Sequence, residues 1–338
     1  MASLLRIGLV GLGMMGRNHA RVLRSMDGVQ FVGAADARGD RLGAMGGLPV
    51  VVTVEDLLEL GLDACVLATP TVTHLDAGLM LASAGVHTLV EKPLAVDPAQ
   101  ARALATAFAD AGLVGCVGHI ERYNPSLRAL RARLDGGELG EIHQVATRRQ
   151  GPFPNRISDV GVIKDLATHD IDSTAWVTRS TYVSVSARTA YKSGRSHEDL
   201  VAVVGILSDG TVANHLVNWL SPMKERVTVV TGERGCFVAD TLTADLTFYE
   251  NGRVLTEWDA IARFRGVSEG NMTRFAIAKP EPLRVELEAF RDAALGVDDD
   301  IVSMDEGLRA VTVAEACLES SRSGSTVRIE NLVGATER

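Results

Sequence analysis

Asp165 and His169, in the stretch KDLATHD, place a carboxylate four positions before a titratable ring. The surrounding pattern predicts a helix, and residues four apart lie on the same face of a helix. A carboxylate beside an imidazole can fix the tautomer of the ring and keep the ring basic near neutral pH. The pair therefore suits general acid–base chemistry, although this spacing taken alone is more often an exposed ion pair.

A glycine-rich stretch, GLGMMG, places Gly11, Gly13 and Gly16 directly after a predicted strand at 4–10 and at the start of a helix. Gly11 permits a tight turn, Gly13 lets the backbone approach a pyrophosphate, and Gly16 allows helix and strand to pack closely. The N-terminus of the helix then offers unpaired N–H groups to the phosphates. The motif predicts a dinucleotide site, although flavin and S-adenosylmethionine sites share parts of it.

Asp36 lies twenty residues after Gly16, at the end of the next predicted strand. An acid at this place can bind both ribose hydroxyls and disfavours a 2′-phosphate, so the combination predicts NAD in preference to NADP. Arg38 weakens that preference, because a guanidinium two residues away could accept the extra phosphate. In the alternative interpretation, Asp36 is only a turn residue at the end of a strand.

The stretch VEKPLA places Glu91, Lys92 and Pro93 at the carboxyl end of another predicted strand. Ligands of open α/β sheets bind at this edge. A lysine amine there can hydrogen-bond a substrate hydroxyl and stabilise the alkoxide that develops as hydride leaves. A strand-end lysine taken alone is more often only a solvated charge.

Short strands alternate with amphipathic helices from residue 4 to about residue 118, and this alternation predicts a parallel sheet covered on both faces. The predicted strands are 4–10, 29–35, 63–69, 86–91 and 113–119, and the predicted helices are 14–26, 54–60, 72–84 and 98–111. We therefore predict an α/β fold whose N-terminal domain, residues 1–120, is a Rossmann domain with a doubly wound parallel sheet.

After about residue 120 the predicted elements have hairpin spacing instead. The turn pairs Asp209-Gly210 and Asn251-Gly252 predict two hairpins. A helix is predicted at 124–134, and two more near 282–295 and 305–321. We predict that residues 121–338 form a C-terminal α+β domain with a largely antiparallel sheet, which binds substrate and joins subunits.

The composition of the 338-residue chain excludes several classes of partner. Its formal net charge of -9 argues against a nucleic acid. No apolar run approaches the length of a membrane span, and Arg6 interrupts the apolar N-terminus, so we expect neither a signal peptide nor a transmembrane helix. Four widely separated cysteines fit a reducing cytoplasm, and eight histidines without ligand spacing predict no metal site.

Between Glu141 and Asp159 the sequence has no acidic residue but contains Arg148, Arg149 and Arg156. Arginine forks suit phosphates, so this positive segment could receive a nucleotide diphosphate sugar. A solvated strand face or a subunit contact is an equally good interpretation.

Tyr123 and Asn124 are candidate contacts with a sugar or with nicotinamide, because they lie in the segment that joins the predicted domains. Asn124 could instead only cap the helix that Pro125 opens. Taken alone, His74 reads as a residue at the start of a helix with no ligand.

Together, the glycine motif, the segment ATPTVTH at 68–74, the EKP motif and the D-x-x-x-H motif resemble the Gfo/Idh/MocA family of sugar and polyol oxidoreductases. Their order and spacing cover nearly the whole chain. Within the family, the stretches GHIERYNPSLRAL and RRQGPFPNRISDVGVIKDLATHDID are most similar to the branch of UDP-N-acetylglucosamine 3-dehydrogenases and related nucleotide-sugar enzymes. The resemblance implies catalytic roles for Lys92, Asp165 and His169. It also implies that the cofactor contacts are Gly11, Gly13, Met14, Met15, Gly16, Asp36, Thr69, Pro70, His74, Glu91 and Lys92.

The expected reaction transfers hydride between NAD and a secondary hydroxyl, at C3 of a UDP-linked hexosamine or its uronate. His169 would act as general base, Asp165 would orient it, and Lys92 would clamp the hydroxyl. Two other enzyme activities fit the same scaffold: a 3-ketoreductase of deoxysugar biosynthesis, and a dehydrogenase of inositol or a free sugar. A non-catalytic sensor of NAD and sugar is the remaining alternative, against which the intact catalytic residues count. The family resemblance also implies a homodimer or homotetramer built through the C-terminal sheet.

Overall fold

A computed structural model describes residues 4–154, 160–252 and 268–330. The chain divides into two compact units, of which the first combines Met1–Ile120 with Pro280–Thr312 and the second combines Glu121–Lys279 with Val313–Arg338. The first segment thus ends where the sequence placed the domain boundary. The assignment of all of residues 121–338 to one C-terminal domain needs a correction, since 280–312 return to the first unit.

The first unit contains a parallel sheet of six strands in the order β3-β2-β1-β4-β5-β6. Its strands are β1 (Leu5–Val10), β2 (Val29–Ala35), β3 (Val50–Val51), β4 (Ala64–Leu67), β5 (His87–Glu91) and β6 (Gly115–Gly118). Its helices before residue 120 are α1 (Met14–Leu23), α2 (Val54–Leu58), α3 (His74–Ser83) and α4 (Pro98–Asp110). Apolar residues fill the central strands because helices cover both faces of such a sheet. The predicted Rossmann architecture is confirmed.

The second unit contains a nine-stranded sheet in the order β14-β13-β12-β11-β7-β10-β9-β8-β15, in which β7 and β10 pair in parallel and the other pairs are antiparallel. Its strands are β7 (Ile142–Pro152), β8 (Tyr182–Ala190), β9 (Leu200–Leu207), β10 (Val212–Asn218), β11 (Leu220–Gly232), β12 (Gly235–Asp240), β13 (Asp245–Gly252), β14 (Ser268–Arg274) and β15 (Val327–Arg328). Helices α5 (Pro125–Asp135) and α6 (Thr168–Thr178) pack apolar side chains against one face of the sheet. The predicted α+β domain with a largely antiparallel sheet is confirmed.

Two further helices follow the second sheet, α7 (Pro282–Ala294) and α8 (Met304–Ser323). Helix α7 places Leu283, Leu287 and Phe290 in the hydrophobic core of the first unit. Burial of such side chains is worth about 1.5–3 kcal/mol each, which explains why the chain returns to the first unit. In the described ranges, every helix is too short or too polar to cross a membrane.

One of the two predicted hairpin turns is confirmed and the other is wrong. Residues 208–210, with Gly210 at φ +89°, form the turn between the antiparallel strands β9 and β10. Asn251 and Gly252 lie instead within β13, and they pair with β14. Backbone pairing with β14 here outweighs the local turn preference of the Asn-Gly pair. The strand that was predicted to follow this pair directly lies outside the described residues.

Candidate functional site

Two glycines after β1 allow a close approach of backbone to backbone. Gly11 has φ +94°, and a Cβ there would lie 2.5 Å from the carbonyl oxygen of Ala68. A Cβ at Gly16 would collide with the carbonyl oxygen of Gly11. No larger residue fits either position without moving the loop, so the tight turn predicted at Gly11 and the close packing predicted at Gly16 agree with the structure.

Gly13 has the opposite surroundings, because a Cβ built on it meets no atom of the described residues within 4 Å. It is the N-cap of α1 and provides no side-chain cap, so N–H groups of the first turn stay available to an anion. Met14 is exposed and Met15 half-buried beside it. Open space at an uncapped helix N-terminus fits the pyrophosphate of a dinucleotide.

Asp36 joins the end of β2 to the glycine loop. Its Oδ2 accepts a hydrogen bond from the N–H of Leu12 and its Oδ1 accepts one from the N–H of Arg38, each at 2.8 Å. The half-buried carboxylate is thereby oriented at the edge of the sheet, while the Arg38 residue is exposed. A carboxylate has further lone pairs, so the predicted ribose contact is compatible with these turn contacts.

The segment after β4 leaves Thr69 half-buried and Pro70 exposed at the same edge. The buried ring of His74 lies with Nε2 3.1 Å from the carbonyl oxygen of Thr69 and Nδ1 3.1 Å from that of Pro93. Burial lowers the pKa of His74 despite these carbonyl contacts. His74 thus links two loops of the site, and its direct contact with the cofactor stays a prediction.

Glu91, at the end of β5, is buried and carries a polar contact on each carboxylate oxygen. Its Oε1 lies 2.8 Å from Nε2 of His19, and its Oε2 accepts a hydrogen bond from the N–H of Lys92 at 3.2 Å. Burial raises the pKa of Glu91, but the hydrogen bond from His19 and the charges of His19 and Lys92 outweigh burial and hold that pKa below its usual value. Lys92 is half-buried. Sequence reasoning missed His19, whose only signal is a polar residue on the apolar face of α1.

In the second unit, the regular helix predicted around Asp165 is replaced by a π-helical turn, Ile163–Ala167, directly before α6. Asp165 is buried in this turn, and His169 lies half-buried in the first turn of α6. The N–H of Ile163 donates to Oε1 of the buried Glu198 at 3.0 Å, which satisfies an amide at the start of the turn. Single π turns occur frequently at functional sites, so the turn supports a special role for this segment.

Buried ion pairs hold α6 immediately after His169. Nε of Arg149 lies 2.9 Å from Oδ2 of Asp170, and Nε of Arg122 lies 2.8 Å from Oδ2 of Asp172. Burial raises the pKa of Asp170 even though Arg149 opposes the rise. Sequence reasoning missed these pairs, and their signal is the run HDID, which puts two acids on a helix that is otherwise buried.

The predicted three-arginine segment is not one positive surface. Arg149 is buried, and its Nη1 also lies 2.9 Å from Oε1 of Glu121. Arg148 projects from the opposite face of β7, since successive strand residues alternate in direction, and it pairs with Glu225 at 3.2 Å with its side chain 56% exposed. The structure therefore does not support Arg149 as a phosphate ligand, and Arg156 lies outside the described residues.

Tyr123 and Asn124 are both buried in the second unit. Asn124 caps α5, because its Oδ1 accepts a hydrogen bond from the N–H of Ser126 at 3.1 Å and its Nδ2 donates to the carbonyl oxygen of Thr241 at 3.0 Å. The guanidinium carbon of Arg128 lies 5.8 Å from the ring centroid of Tyr123. The capping interpretation of Asn124 is the one that the structure shows, and the sugar contacts of both residues stay predictions.

Across the described ranges, no group of three His, Cys, Asp or Glu residues could hold a metal ion.

Comparison with known families identifies both parts of the chain. Residues 5–119 match the Gfo/Idh/MocA oxidoreductase family with an NAD-binding Rossmann fold, and residues 127–238 match the Gfo/Idh/MocA C-terminal domain. UDP-N-acetylglucosamine 3-dehydrogenase of Acidithiobacillus ferrooxidans is 32% identical over 216 residues, which span 62% of this chain and 66% of that enzyme. Inositol 2-dehydrogenase 1 of Saccharopolyspora erythraea is 30% identical over 345 residues, which span 96% of each chain.

Solved structures resemble the chain over most of its length. The structure of the A. ferrooxidans enzyme, GnnA, has a TM-score of 0.81 and 26% identity, and the match covers 94% of this chain and 98% of GnnA. GenD2 from gentamicin A biosynthesis, solved in complex with NAD, has a TM-score of 0.80 and 25% identity, and the match covers 97% of each chain.

Proposed function

This chain belongs to the Gfo/Idh/MocA family of NAD-dependent oxidoreductases, and we propose that it transfers hydride between NAD and a secondary hydroxyl of a nucleotide-linked sugar. The hydroxyl is that on C3 of a UDP-hexosamine or its uronate. The observation that carries the substrate assignment is the 32% identity with UDP-N-acetylglucosamine 3-dehydrogenase of A. ferrooxidans. Arg149 is buried in ion pairs and Arg148 projects from the face of β7 opposite to α6, so neither of these two arginines supports the contact with the diphosphate.

In the proposed chemistry, His169 accepts the hydroxyl proton, the buried Asp165 orients the ring, and Lys92 clamps the hydroxyl oxygen. A half-buried imidazole is suited to this task because its ordinary pKa lies near neutral pH. Bound NAD supplies the hydride acceptor. The residues that would hold it are those of the glycine loop, with Met14 and Met15, and Asp36, with Thr69 and Pro70 along the same sheet edge.

A second candidate is a dehydrogenase of inositol or a free sugar, because the S. erythraea inositol 2-dehydrogenase aligns with this chain over 96% of its length. A 3-ketoreductase of deoxysugar biosynthesis would use the same residues in the reverse direction, with protonated His169 donating to the new hydroxyl. A sensor of NAD and sugar would bind both without turnover.

A panel of UDP sugars, inositols and free sugars, each with NAD and with NADP, tests these alternatives at the absorbance of the reduced nicotinamide. We expect a UDP-hexosamine or its uronate with NAD to give the highest kcat/KM. Reaction with inositol or a free sugar alone would overturn the nucleotide-sugar proposal. Binding of NAD and sugar without turnover of any substrate would point to the sensor.

We further propose that the second unit forms a homodimer or homotetramer through the open face of its sheet. Val204 and Ile206 of β9 pair with Asn214 and Val212 of β10 on this face, and the three aliphatic side chains are exposed. A contiguous apolar patch of this kind favours association. Light scattering should show an oligomer for the wild type and a smaller species for Val204→Asp, and a monomeric wild type would contradict the proposal.

A further inference from the structure

The loop between β8 and β9, residues 191–199, contacts the start of the π-helical turn in the second unit. Glu198 of this loop is buried, with 4% of its surface exposed. Its carbonyl oxygen accepts the N–H of Val162 and its Oε1 accepts the N–H of Ile163, each at 3.0 Å. The first N–H groups of a helix have no acceptor within the helix. Glu198 therefore satisfies two buried amides that the turn itself does not pair.

Gly161 fits closely against the carboxylate of Glu198. A Cβ built on Gly161 would collide with both carboxylate oxygens. Gly161 does not have a positive φ, so the carboxylate, and not backbone strain, excludes a side chain at this position. The carbonyl oxygen of Gly161 in turn accepts the N–H of Asp165 at 3.1 Å. Glu198 thus contacts the residue that binds the backbone of Asp165.

A second residue of the same loop holds the chain on the other side of Gly161. Nη2 of Arg195 donates to the carbonyl oxygen of Val160 at 3.0 Å, and its guanidinium carbon lies 4.3 Å from the ring centroid of Phe153. Asp199 fixes the loop itself, because its carboxylate accepts two backbone N–H groups of the loop, at 2.7 and 2.9 Å. The loop and the start of the π turn are therefore joined on both sides of Gly161.

We propose that Glu198 is a positioning residue, which sets the place of Asp165 and His169 by holding the backbone at the start of the π turn. The inference deepens the proposed function and rests on the roles proposed there for Asp165 and His169. A general base must lie within hydrogen-bond reach of its proton, and a displacement of about 1 Å can cost about a hundredfold in rate. Because the contact with Ile163 needs an oxygen at a fixed distance, the length of the Glu198 side chain should matter more than its charge.

Two conservative variants separate length from charge. Glu198→Gln keeps an oxygen acceptor at the same distance, and we expect its kcat to stay within about threefold of wild type. Glu198→Asp keeps the charge but is one methylene shorter, and its kcat should fall by about tenfold to a hundredfold. The KM of the sugar should stay within about twofold in both variants, because lost alignment acts on the chemical step. Equal effects of the two variants on kcat, or a larger loss in Glu198→Gln, would overturn the inference.

Gly161→Ala tests the same contact from the other side. Alone, it should lower kcat by about tenfold or more, because its methyl group would displace the carboxylate of Glu198. In the Glu198→Ala background the carboxylate is absent, so Gly161→Ala should lower kcat by no more than about a further twofold. The same loss in both backgrounds would contradict the inference.

Glu315→Ala is the matched control, because the carboxylate of Glu315 also contacts the π turn. Its Oε2 lies 3.2 Å from Nζ of Lys164, so it binds a side chain of the turn and not the backbone. This variant should leave kcat unchanged, and a loss as large as that of Glu198→Asp would count against the inference. Circular dichroism checks that each variant is folded at the assay temperature. If Glu198→Ala does not fold, the comparison of Glu198→Gln with Glu198→Asp still decides the question.

NMR of the full chain gives a readout that needs no substrate. Ile163→Val assigns the backbone N–H signal of Ile163, and His169→Ala assigns the ring signals of His169. In Glu198→Asp, the Ile163 N–H should exchange with solvent at least about tenfold faster than in wild type, and the ring signals of His169 should shift. In Glu198→Gln both should match wild type. Unchanged signals in Glu198→Asp would overturn the inference.

Failure of the sugar panel and failure of this inference can therefore be distinguished. A chain that turns over no sugar would refute the proposed function, and the NMR signals would still show whether Glu198 positions His169. A chain that oxidises a UDP sugar with equal kcat in Glu198→Gln and Glu198→Asp would refute this inference alone.

Discussion

The glycine loop of the first unit and helix α6 of the second, which carries the proposed base His169, are positioned by different means. The loop relies on backbone, since Gly11 and Gly16 permit close approach and Gly13 leaves open space at the start of α1. Helix α6 relies on buried side-chain ion pairs, with Arg149 on Asp170 and Arg122 on Asp172. The loop should therefore tolerate loss of charge better than added atoms, and the helix should respond in the opposite way.

Removal of the buried charge of Arg149, which pairs with Asp170 of α6, should have the largest effect. We expect Arg149→Met to lower the free energy of unfolding by about 3–5 kcal/mol, because the buried Asp170 would lose its ion-pair partner and Glu121 would be left with the longer contact to Arg226, at 3.5 Å. Chemical denaturation followed by circular dichroism measures this change.

Arg148→Met is the matched control, since it removes the same group from the adjacent position of the same strand. Its exposed pair with Glu225 should contribute at most about 1 kcal/mol. Equal losses in the two variants would show that the buried pair does not anchor α6 in the way we describe.

Loss of His169, the proposed base, should have the second-largest effect. We expect His169→Ala to lower kcat by at least about a hundredfold while the affinity for NAD stays the same, as loss of a general base predicts. Assays of turnover measure kcat, and fluorescence titration with NADH measures the affinity for the cofactor.

His143→Ala removes an exposed histidine from β7 and should leave turnover unchanged. Near-normal turnover of His169→Ala would remove His169 from the mechanism, and lost NADH binding would mean that the substitution disturbs more than the base.

The same contrast explains how much the sequence could predict. The places of the glycine motif, Asp36 and Lys92 at the ends of strands could be predicted, because they depend on residue type and on short, fixed spacing. The ion pairs of α6 could not, because Arg149 and Asp170 are 21 positions apart and Arg122 and Asp172 are 50 apart. Only the packed second unit shows which acid meets which arginine.

Two local predictions failed because tertiary pairing determines direction and register. Adjacent arginines predicted one positive patch, but the alternation of β7 sends Arg148 outward and Arg149 into the core. The Asn251-Gly252 pair predicted a turn, but pairing with β14 keeps both residues in a strand. The return of α7 to the first unit could not be predicted either, because the sequence of an apolar helix face does not show which of two hydrophobic cores the helix packs against.

The smallest of these effects is expected at Asp36, where the loop should accept a loss of charge. Asp36→Asn keeps one oxygen to accept the N–H of Leu12 or Arg38, so the loop should stay folded. The Kd of NAD should rise by about tenfold, or about 1.4 kcal/mol, because the charged acceptor for the ribose hydroxyls is lost. The Kd of NADP should fall, since a 2′-phosphate would no longer meet a carboxylate and Arg38 lies two residues away.

Asp40→Asn provides the control for this charge, because Asp40 also accepts backbone N–H groups of its own loop, from Ala44 and Met45, at 2.8 and 2.9 Å. It should leave the NAD to NADP preference unchanged. If Asp36→Asn instead unfolds the first unit, the carboxylate is as essential to the loop as Arg149 is to α6. The contrast between a glycine loop that is positioned by its backbone and a helix that is positioned by charged pairs would then not hold.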